Sequence, residues 1–269
     1  MEYSTFSSLE STINSLAFRL ILSGRVSAGS EWRFMNHPAP ANRLYFIFDG
    51  DGYIGNAGTK KRFEKNLIML TTVNSFFDYV CESRLEKIFF HFRLELYPGK
   101  DIFDGVNDCL TREGDRSFFE TLAAKAESTR MGDMLEAESM LLSAIAPFVK
   151  TDVRDVRKRI AVGEKYRRLF SAIDERCSLA TTTKELAVLV GSSESTLVKN
   201  FRHDVGISLK QYLMDRIASR AKEEVHGTDR KVKDIARSLG FADEFYFSRF
   251  FKKHAGLSPA EYRKANILR

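Results

Sequence analysis

The stretch Ile235-Ala236-Arg237-Ser238-Leu239-Gly240-Phe241 decides how this chain folds, together with Phe247-Ser248-Arg249-Phe250-Phe251-Lys252-Lys253, Gly256-Leu257-Ser258-Pro259 and Tyr262-Arg263. Ile235, Ala236 and Leu239 recur at helical spacing on one face, with Ala236 small where a second helix has to cross closely. Gly240 stops that helix, since glycine takes the left-handed conformation without steric cost. Asp243 can cap the next helix, in which Phe247 and Phe251 stand one turn apart and point inward. Glu244, Phe245, Ser248, Arg249 and Lys252 are left facing out. Gly256 ends this helix, and Pro259 stands where a third begins. Two short helices across a tight turn, the second carrying basic side chains, have the form of a helix-turn-helix that enters a DNA groove. A plain helical hairpin with a solvated basic face fits the same pattern.

An internal copy separates the two. Glu185 to Gly191 leads into Leu197-Val198-Lys199-Asn200-Phe201-Arg202, then Gly206-Ile207-Ser208 and Tyr212. Ala187 pairs with Ala236, Gly191 with Gly240, Lys199 with Arg249, Phe201 with Phe251 and Gly206 with Gly256, at an offset of about 50 residues. Thr182 or Thr183 can cap the first helix of this copy. Between the copies, Leu209, Leu213, Ile217, Ala221 and Val225 recur once per turn and predict a rigid connecting helix. Two such units held by one stiff helix can enter successive major grooves, a separation near ~34 Å.

On these residues the segment from about 163 to 269 resembles the DNA-binding domain of the AraC/XylS family of bacterial transcription regulators. The second unit carries the family's pattern in Ile235-Ala236, Gly240-Phe241, Tyr246-Phe247-Ser248-Arg249, Phe251-Lys252, Gly256, Ser258-Pro259 and Tyr262-Arg263. The first unit follows it more loosely through Leu197, Phe201, Gly206, Tyr212, Arg216 and Ala221. By position, the resemblance implies base-facing roles for Ser195, Val198 and Lys199 in the first unit and for Glu244, Phe245, Ser248 and Arg249 in the second. Arg202 and Lys252 share those helices and are expected on phosphate. Two positions depart from the family's pattern. Glu224 replaces an apolar residue near the end of the connecting helix, which predicts a wetter end. Phe245 replaces a small polar residue, so it either meets a thymine methyl or packs as a core aromatic on a slightly rotated helix.

Charge is distributed accordingly. The chain carries a net charge of +6, made of about −1 over residues 1–159 and about +7 over residues 160–269. The excess sits where phosphate would be met. A length of 269 residues allows about two domains. Cys81, Cys109 and Cys177 are odd in number and scattered, without metal-ligand spacing, and read as ordinary thiols of a reducing cytoplasm. No positive leader precedes an apolar run and no run is long enough to span a bilayer, so the sequence predicts a cytoplasmic protein with no membrane partner.

The first half has a different texture. β-Branched and aromatic runs from about residue 25 to 95 are cut by turn signals. Leu44 to Phe48, Asp49-Gly50-Asp51-Gly52 and Tyr53-Ile54 spell a hairpin, and Asn56-Ala57-Gly58 a further turn. Leu67–Leu70, Phe76–Cys81 and Lys87–Leu96 add strands, which together suggest a small barrel or jelly roll. The resemblance implies a cupin-like effector-binding barrel in this position, with a ligand-responsive regulator as the whole. If a ligand binds, Trp32, Arg33, His37, Arg43 and Tyr45 are the lining candidates, an aromatic plate among hydrogen-bonders suited to a sugar or small polar metabolite. Alternatively Trp32 is core and the arginines are solvated. His37 and His91 are too few and too far apart for a cupin-type metal centre. No metal, cofactor or catalytic residue is therefore assigned, and a cupin-type metalloenzyme fused to a DNA-binding domain stands as the alternative, with a sequence-indifferent DNA binder as a third.

Arg116–Thr129 and Met131–Ala146 carry apolar residues at helical spacing, and Pro147 stops the second run. They either cover the barrel or form a helix-pair dimer interface, as the resemblance implies. Thr151–Glu164, charged and containing Gly163, reads as the linker. The expected fold is therefore α+β: an N-terminal cupin-like β-barrel followed by helices, then an all-α domain with two helix-turn-helix motifs. Its expected segments are 1–112 (effector binding), 113–162 (helical dimerisation and linker) and 163–269 (DNA binding). The expected partners are double-stranded promoter DNA, a small-molecule effector and a second copy in a homodimer, with room for RNA polymerase.

Overall fold

The computed structural model describes Asn14 and residues 16–56, 58–150 and 153–267. The chain divides into two compact units, one of residues 16–95 with 100–152, the other containing 96–99 and everything from residue 153 on.

The first unit contains one antiparallel sheet among its described residues. Its strands are β1 (Ala17–Ala28), β2 (Arg33–Pro38), β3 (Asn42–Gly55), β4 (Lys60–Arg62), β5 (Leu67–Thr71), β6 (Phe76–Tyr97), β7 (Lys100–Asp101) and β8 (Cys109–Glu113). The order is β1-β6-β3-β5-β8, with β2 and β7 added to β6 and β4 to β3. The predicted hairpin at Asp49–Gly52 does not form. β3 runs straight through it and pairs with β6 from Asn42↔Phe92 to Gly55↔Asp78, shifting register between Ile47 and Asp49 and again between Gly50 and Gly52. The glycines serve a close approach instead of a turn. At Gly52, with φ +147°, a Cβ would run into the Val80 carbonyl of β6. The Asp49 and Asp51 carboxylates meet Arg84 and Arg62 outside the ladder at 2.6 and 2.8 Å. Paired bulges of this kind bend a strand. The two strands expected at Phe76–Cys81 and Lys87–Leu96 are likewise one long strand, β6.

Alternation along β3, β5 and β6 gives the sheet two apolar faces. Leu44, Phe46, Phe48, Phe90 and Phe92 face the helices α1 (Arg116–Ala126) and α2 (Met131–Ile145), meeting Phe119, Leu122, Leu141 and Ile145. Phe46 and Phe119 stack at 4.2 Å between ring centroids. A short 3-10 turn, Ala146–Phe148, contains Pro147 and follows α2 directly. The opposite face gathers Tyr45, Ile47, Met69, Tyr79, Leu85 and Phe89 with Leu22, Val26, Trp32 and Phe34. Among the described residues that second cluster contains no helical one; the sheet curls so that Trp32 reaches Phe63 and Tyr79 across it, at 6.1 and 5.8 Å.

The second unit is all-helical: α3 (Val153–Lys165), α4 (Arg167–Glu175), α5 (Thr183–Leu189), α6 (Glu194–Val205), α7 (Leu209–Gly227), α8 (Val232–Ser238), α9 (Glu244–Ala255) and α10 (Pro259–Ile267). The expected linker is thus mostly α3, in which Val156 and Ile160, one turn apart, are buried despite the surrounding charge. Its Thr151 and Asp152 lie outside the described residues. α7 is the connecting helix. Leu209, Leu213, Ile217, Ala221 and Val225 are all buried along its length of about 28 Å. They belong to a single core that runs from Tyr166 and Phe170 through Phe201 to Phe247, Phe251 and Tyr262.

Candidate nucleic-acid interface

The two helix-turn-helix units, α5–α6 and α8–α9, are built by the same local devices. Gly191 and Gly240 close the turns at φ +68° and +79°, and Gly206 and Gly256 end the second helices at φ +86° and +77°. In the first turn the Ser192 N–H donates to the Ala187 carbonyl at 2.9 Å. In the second, Phe241 N–H donates to the Ala236 carbonyl at 3.0 Å, so the repeat holds at the level of single hydrogen bonds. Thr182, not Thr183, caps α5 in a reciprocal box with Glu185, whose carboxylate accepts the Thr182 N–H at 2.9 Å. Ser193 caps α6, accepting from Thr196 N–H at 3.2 Å, and Asp243 caps α9, accepting from Tyr246 N–H at 2.7 Å.

Packing then decides which side chains each second helix offers to solvent. Leu197 and Phe201 of α6 are buried, and Ser195, Lys199 and Arg202 are exposed with Val198 half-buried. The outer face of α6 forms an open groove of about 840 Å³ along Glu194, Ser195, Val198, Lys199, Arg202 and His203. In α9, Phe247, Phe250 and Phe251 are buried, while Glu244, Arg249 and Lys252 are exposed and Ser248 is half-buried. Phe245 is 79% exposed, which removes the alternative of a core aromatic, and Tyr246 beside it is 45% exposed.

Polar anchors fix the end of α6 and the entry to the second unit. Asp204, in the last turn of α6, accepts from Lys165 Nζ at 2.6 Å and from the Tyr166 hydroxyl at 2.7 Å, and its other oxygen meets His203 Nδ1 at 2.9 Å. Lys165 above all, then His203 and Tyr166, hold its carboxyl well below the usual carboxylate range. Glu224, expected to leave its end of α7 wet, is ion-paired to Arg220 at 3.3 Å and to Arg230 of the following loop. Its charge is used to tie the connecting helix to the entry of the second unit. Arg263 of α10 completes that corner, donating to the carbonyls of Val225 at 3.0 Å and Arg230 at 2.7 Å. The Arg220–Glu224 pair is a local helical one, whereas Arg263 reaches residues 38 and 33 positions away, which nothing in its local spacing announces.

In the N-terminal unit, four of the five lining candidates sit around Tyr79 on the inner face of the curled sheet. Trp32 meets the Tyr79 ring edge-on at 5.8 Å and His37 meets it at 5.9 Å. Tyr45 lies 6.2 Å from it, and the Arg43 guanidinium 5.3 Å over it. Arg33 is exposed, because alternation along β2 turns it away from Trp32 and Phe34. His91 also borders Tyr45, at 6.3 Å. Sequence reasoning missed Lys87, whose Nζ lies 3.9 Å from the Tyr45 ring centroid and 4.0 Å from that of Trp32. The signal was present: Lys87 alternates with Leu85 and Phe89 at an inward position. Among the described residues, no group of three or more His, Cys, Asp or Glu is placed to hold a metal ion.

Comparison with known proteins agrees with this geometry. Residues 186–265 match the family described as a helix-turn-helix domain. Over 110 residues the chain is 34% identical to the uncharacterized HTH-type transcriptional regulator YijO of Escherichia coli K12, an alignment covering 39% of each protein. Over 71 residues it is 41% identical to the arabinose operon regulatory protein of Salmonella typhimurium LT2, covering 26% of this chain and 25% of that one. The chain therefore spans less than half the length of these two curated relatives. ToxT from Vibrio cholerae has a similar fold, with a TM-score of 0.53 at 14% identity over 93% of this chain and 98% of that one. The repeat geometry, the matched segment and these relatives together show a C-terminal helix-turn-helix domain, similar to those of the AraC-type regulators that the sequence resembles.

Proposed function

We propose that this chain is a sequence-specific, DNA-binding transcription regulator that responds to a small-molecule ligand held in its N-terminal domain. The observation that carries this reading is the pair of equivalently capped helices, α6 and α9, fixed in one core by α7. Ser195, Val198 and Lys199 of α6 and Glu244, Phe245, Ser248 and Arg249 of α9 read base edges, while Arg202 and Lys252 hold phosphate. Phe245 meets a thymine methyl. No described helix is long and apolar enough to cross a membrane, in keeping with work on cytoplasmic DNA. The curated relatives are regulators by name, and no catalytic role is assigned to this chain.

The homodimer forms through α2. Met131, Met134 and Leu135 of its first turn and a half are exposed at helical spacing, an apolar stripe on the solvent side of the helix. Ligand binding shifts the population of protomer arrangements, and with it the presentation of the reading helices to promoter DNA and RNA polymerase. Footprinting on the promoter tests the reading: discrete protected segments in two successive major grooves support it, and uniform coverage refutes it. Arg249→Ala weakens specific binding by about 1–3 kcal/mol if Arg249 reads a guanine. Equal loss on specific and random DNA assigns Arg249 to phosphate instead.

A further inference from the structure

Lys87 is 3% exposed, on the middle of β6, opposite Val26 of β1 and Ile47 of β3. Its Nζ lies between the rings of Trp32 and Tyr45, with Phe89 at 5.8 Å, and no described carboxylate or hydrogen-bond acceptor engages it. The charged group that acts on it is another cation, Arg43, itself buried over the Tyr79 ring, with His37 against the same ring. The acids of the surrounding strands all point elsewhere. Asp49 is held by Arg84, Asp51 and Glu82 by Arg62, and Glu86 by Arg25. Glu31, next to Trp32, turns back to the Gly29 N–H, and Asp78 accepts from the Asn36 N–H.

A buried ammonium without a counter-ion is unfavourable, and ring faces return only a fraction of the lost hydration. Burial, and then the charge of Arg43, accordingly hold the Lys87 amine well below its ordinary value. The chain gathers cations and rings around Lys87 and pairs no described acid with it, which leaves a place for a negative charge brought from outside. Trp32, which lies against Lys87, and Phe34, edge-on to Trp32 at 5.9 Å, are only part-buried, so this side of the cluster is the one nearest solvent.

We propose that Lys87 is the anion-recognising group of the N-terminal domain, and that the ligand is a small organic carboxylate whose flat apolar body lies against Trp32. The carboxylate pairs with the Lys87 ammonium, Arg43 adds a second positive charge at the same place, and Tyr45 and Tyr79 wall the site. A neutral sugar supplies no counter-charge and is disfavoured. This inference rests on the N-terminal domain being the ligand-binding one, and deepens that reading.

Trp32 is the only tryptophan of the chain, so its emission reports directly on the site. Full-length protein is titrated with aryl and alkyl carboxylates, cinnamate among them, and each acid is paired with its neutral amide, cinnamamide for cinnamate. Acids binding at least tenfold more tightly than their amides, with a change in Trp32 emission, is the expected result. Lys87→Met removes that preference, so that acid and amide bind alike. The same variant melts at a higher temperature than the wild type without ligand, because it removes an unpaired buried charge. Equal binding of acids and amides by the wild type overturns the proposal. So does a Lys87→Met protein that melts lower than the wild type, which makes Lys87 a structural residue. The regulator reading is scored separately, by footprinting with and without the ligand. Carboxylates that bind at Trp32 without changing the footprint leave the site standing and sink ligand-responsive regulation. Neutral sugars that change the footprint while no carboxylate binds do the reverse.

Discussion

Gly191 and Gly240 occupy equivalent places in the two turns, yet alanine should be tolerated very differently at them. Both need a left-handed backbone, at φ +68° and +79°, which costs an alanine about 1–2 kcal/mol. At Gly191 nothing lies within 4 Å of the added methyl, so Gly191→Ala should destabilise by that amount alone. At Gly240 the methyl overlaps the Ser178 hydroxyl and lies 3.2 and 3.3 Å from the backbone nitrogens of Leu179 and Ala180. That segment cannot simply retreat, because the Leu179 N–H donates to the Leu239 carbonyl at 2.9 Å. Overpacking of this kind adds about 1–3 kcal/mol, so Gly240→Ala should cost about 2–5 kcal/mol in all. Ser178→Ala deletes the overlapped oxygen and its 3.3 Å bond from the Ala180 N–H, and in the Gly240→Ala background should restore part of the loss. Urea unfolding followed by circular dichroism at 222 nm reads all four proteins, since the helices of the C-terminal unit dominate that signal. Gly240→Ala proving no worse than Gly191→Ala, or Ser178→Ala failing to rescue it, refutes the steric account of this turn.

Three further outcomes are expected. Thr182→Ala should cost about 1 kcal/mol by opening the capping box of α5, whereas Thr182→Ser recovers most of it; two equally poor variants on denaturant titration would exclude capping as the cause. The depressed Asp204 carboxyl contributes stability that is present above the ordinary carboxylate value of about 3.9 and is lost as pH falls through its lower folded value. The melting-temperature gap between the wild type and Asp204→Asn should therefore be full at neutral pH and close below about pH 4; a gap that widens on acidification contradicts the anchor. Phe119→Ala empties a site stacked on Phe46 in the sheet–helix core and should cost about 3–5 kcal/mol in differential scanning calorimetry, against near-zero for the exposed Phe245→Ala.

The C-terminal domain was legible because its determinants are local. Gly191, Gly240, Gly206 and Gly256 mark turns and helix ends within a few residues of the caps and apolar stripes they interrupt, and the repeat doubles every signal. The N-terminal domain hides its determinants in pairing between distant strands. Asp49-Gly50-Asp51-Gly52 has the composition of a turn, yet becomes bulged strand because β6 runs alongside it and needs the backbone to pass close at Gly52. Thr151–Glu164 looked like a charged linker because two buried side chains, Val156 and Ile160, are a thin signal among so many solvated ones. The candidates for DNA contact came from the family resemblance, position by position, with helical spacing turning those of the second unit outward, whereas Lys87 needed the sheet to be curled before its neighbours could be seen.

The single core threaded by α7 has a consequence for the DNA itself. Reading helices that share a packed interior cannot slide or swivel to suit a badly spaced site, so on the proposed function any mismatch in spacing falls on the duplex. Inserting or deleting one base pair between the two contacted segments rotates one of them by roughly a tenth of a turn, about 34–36°, and only bending or twisting of the DNA can bring it back. The base pairs in between, which no side chain touches, are then selected for how easily they deform, with pyrimidine–purine steps favoured over stiff A-tracts. A rigid protein of this design writes part of its preference into sequence it never contacts.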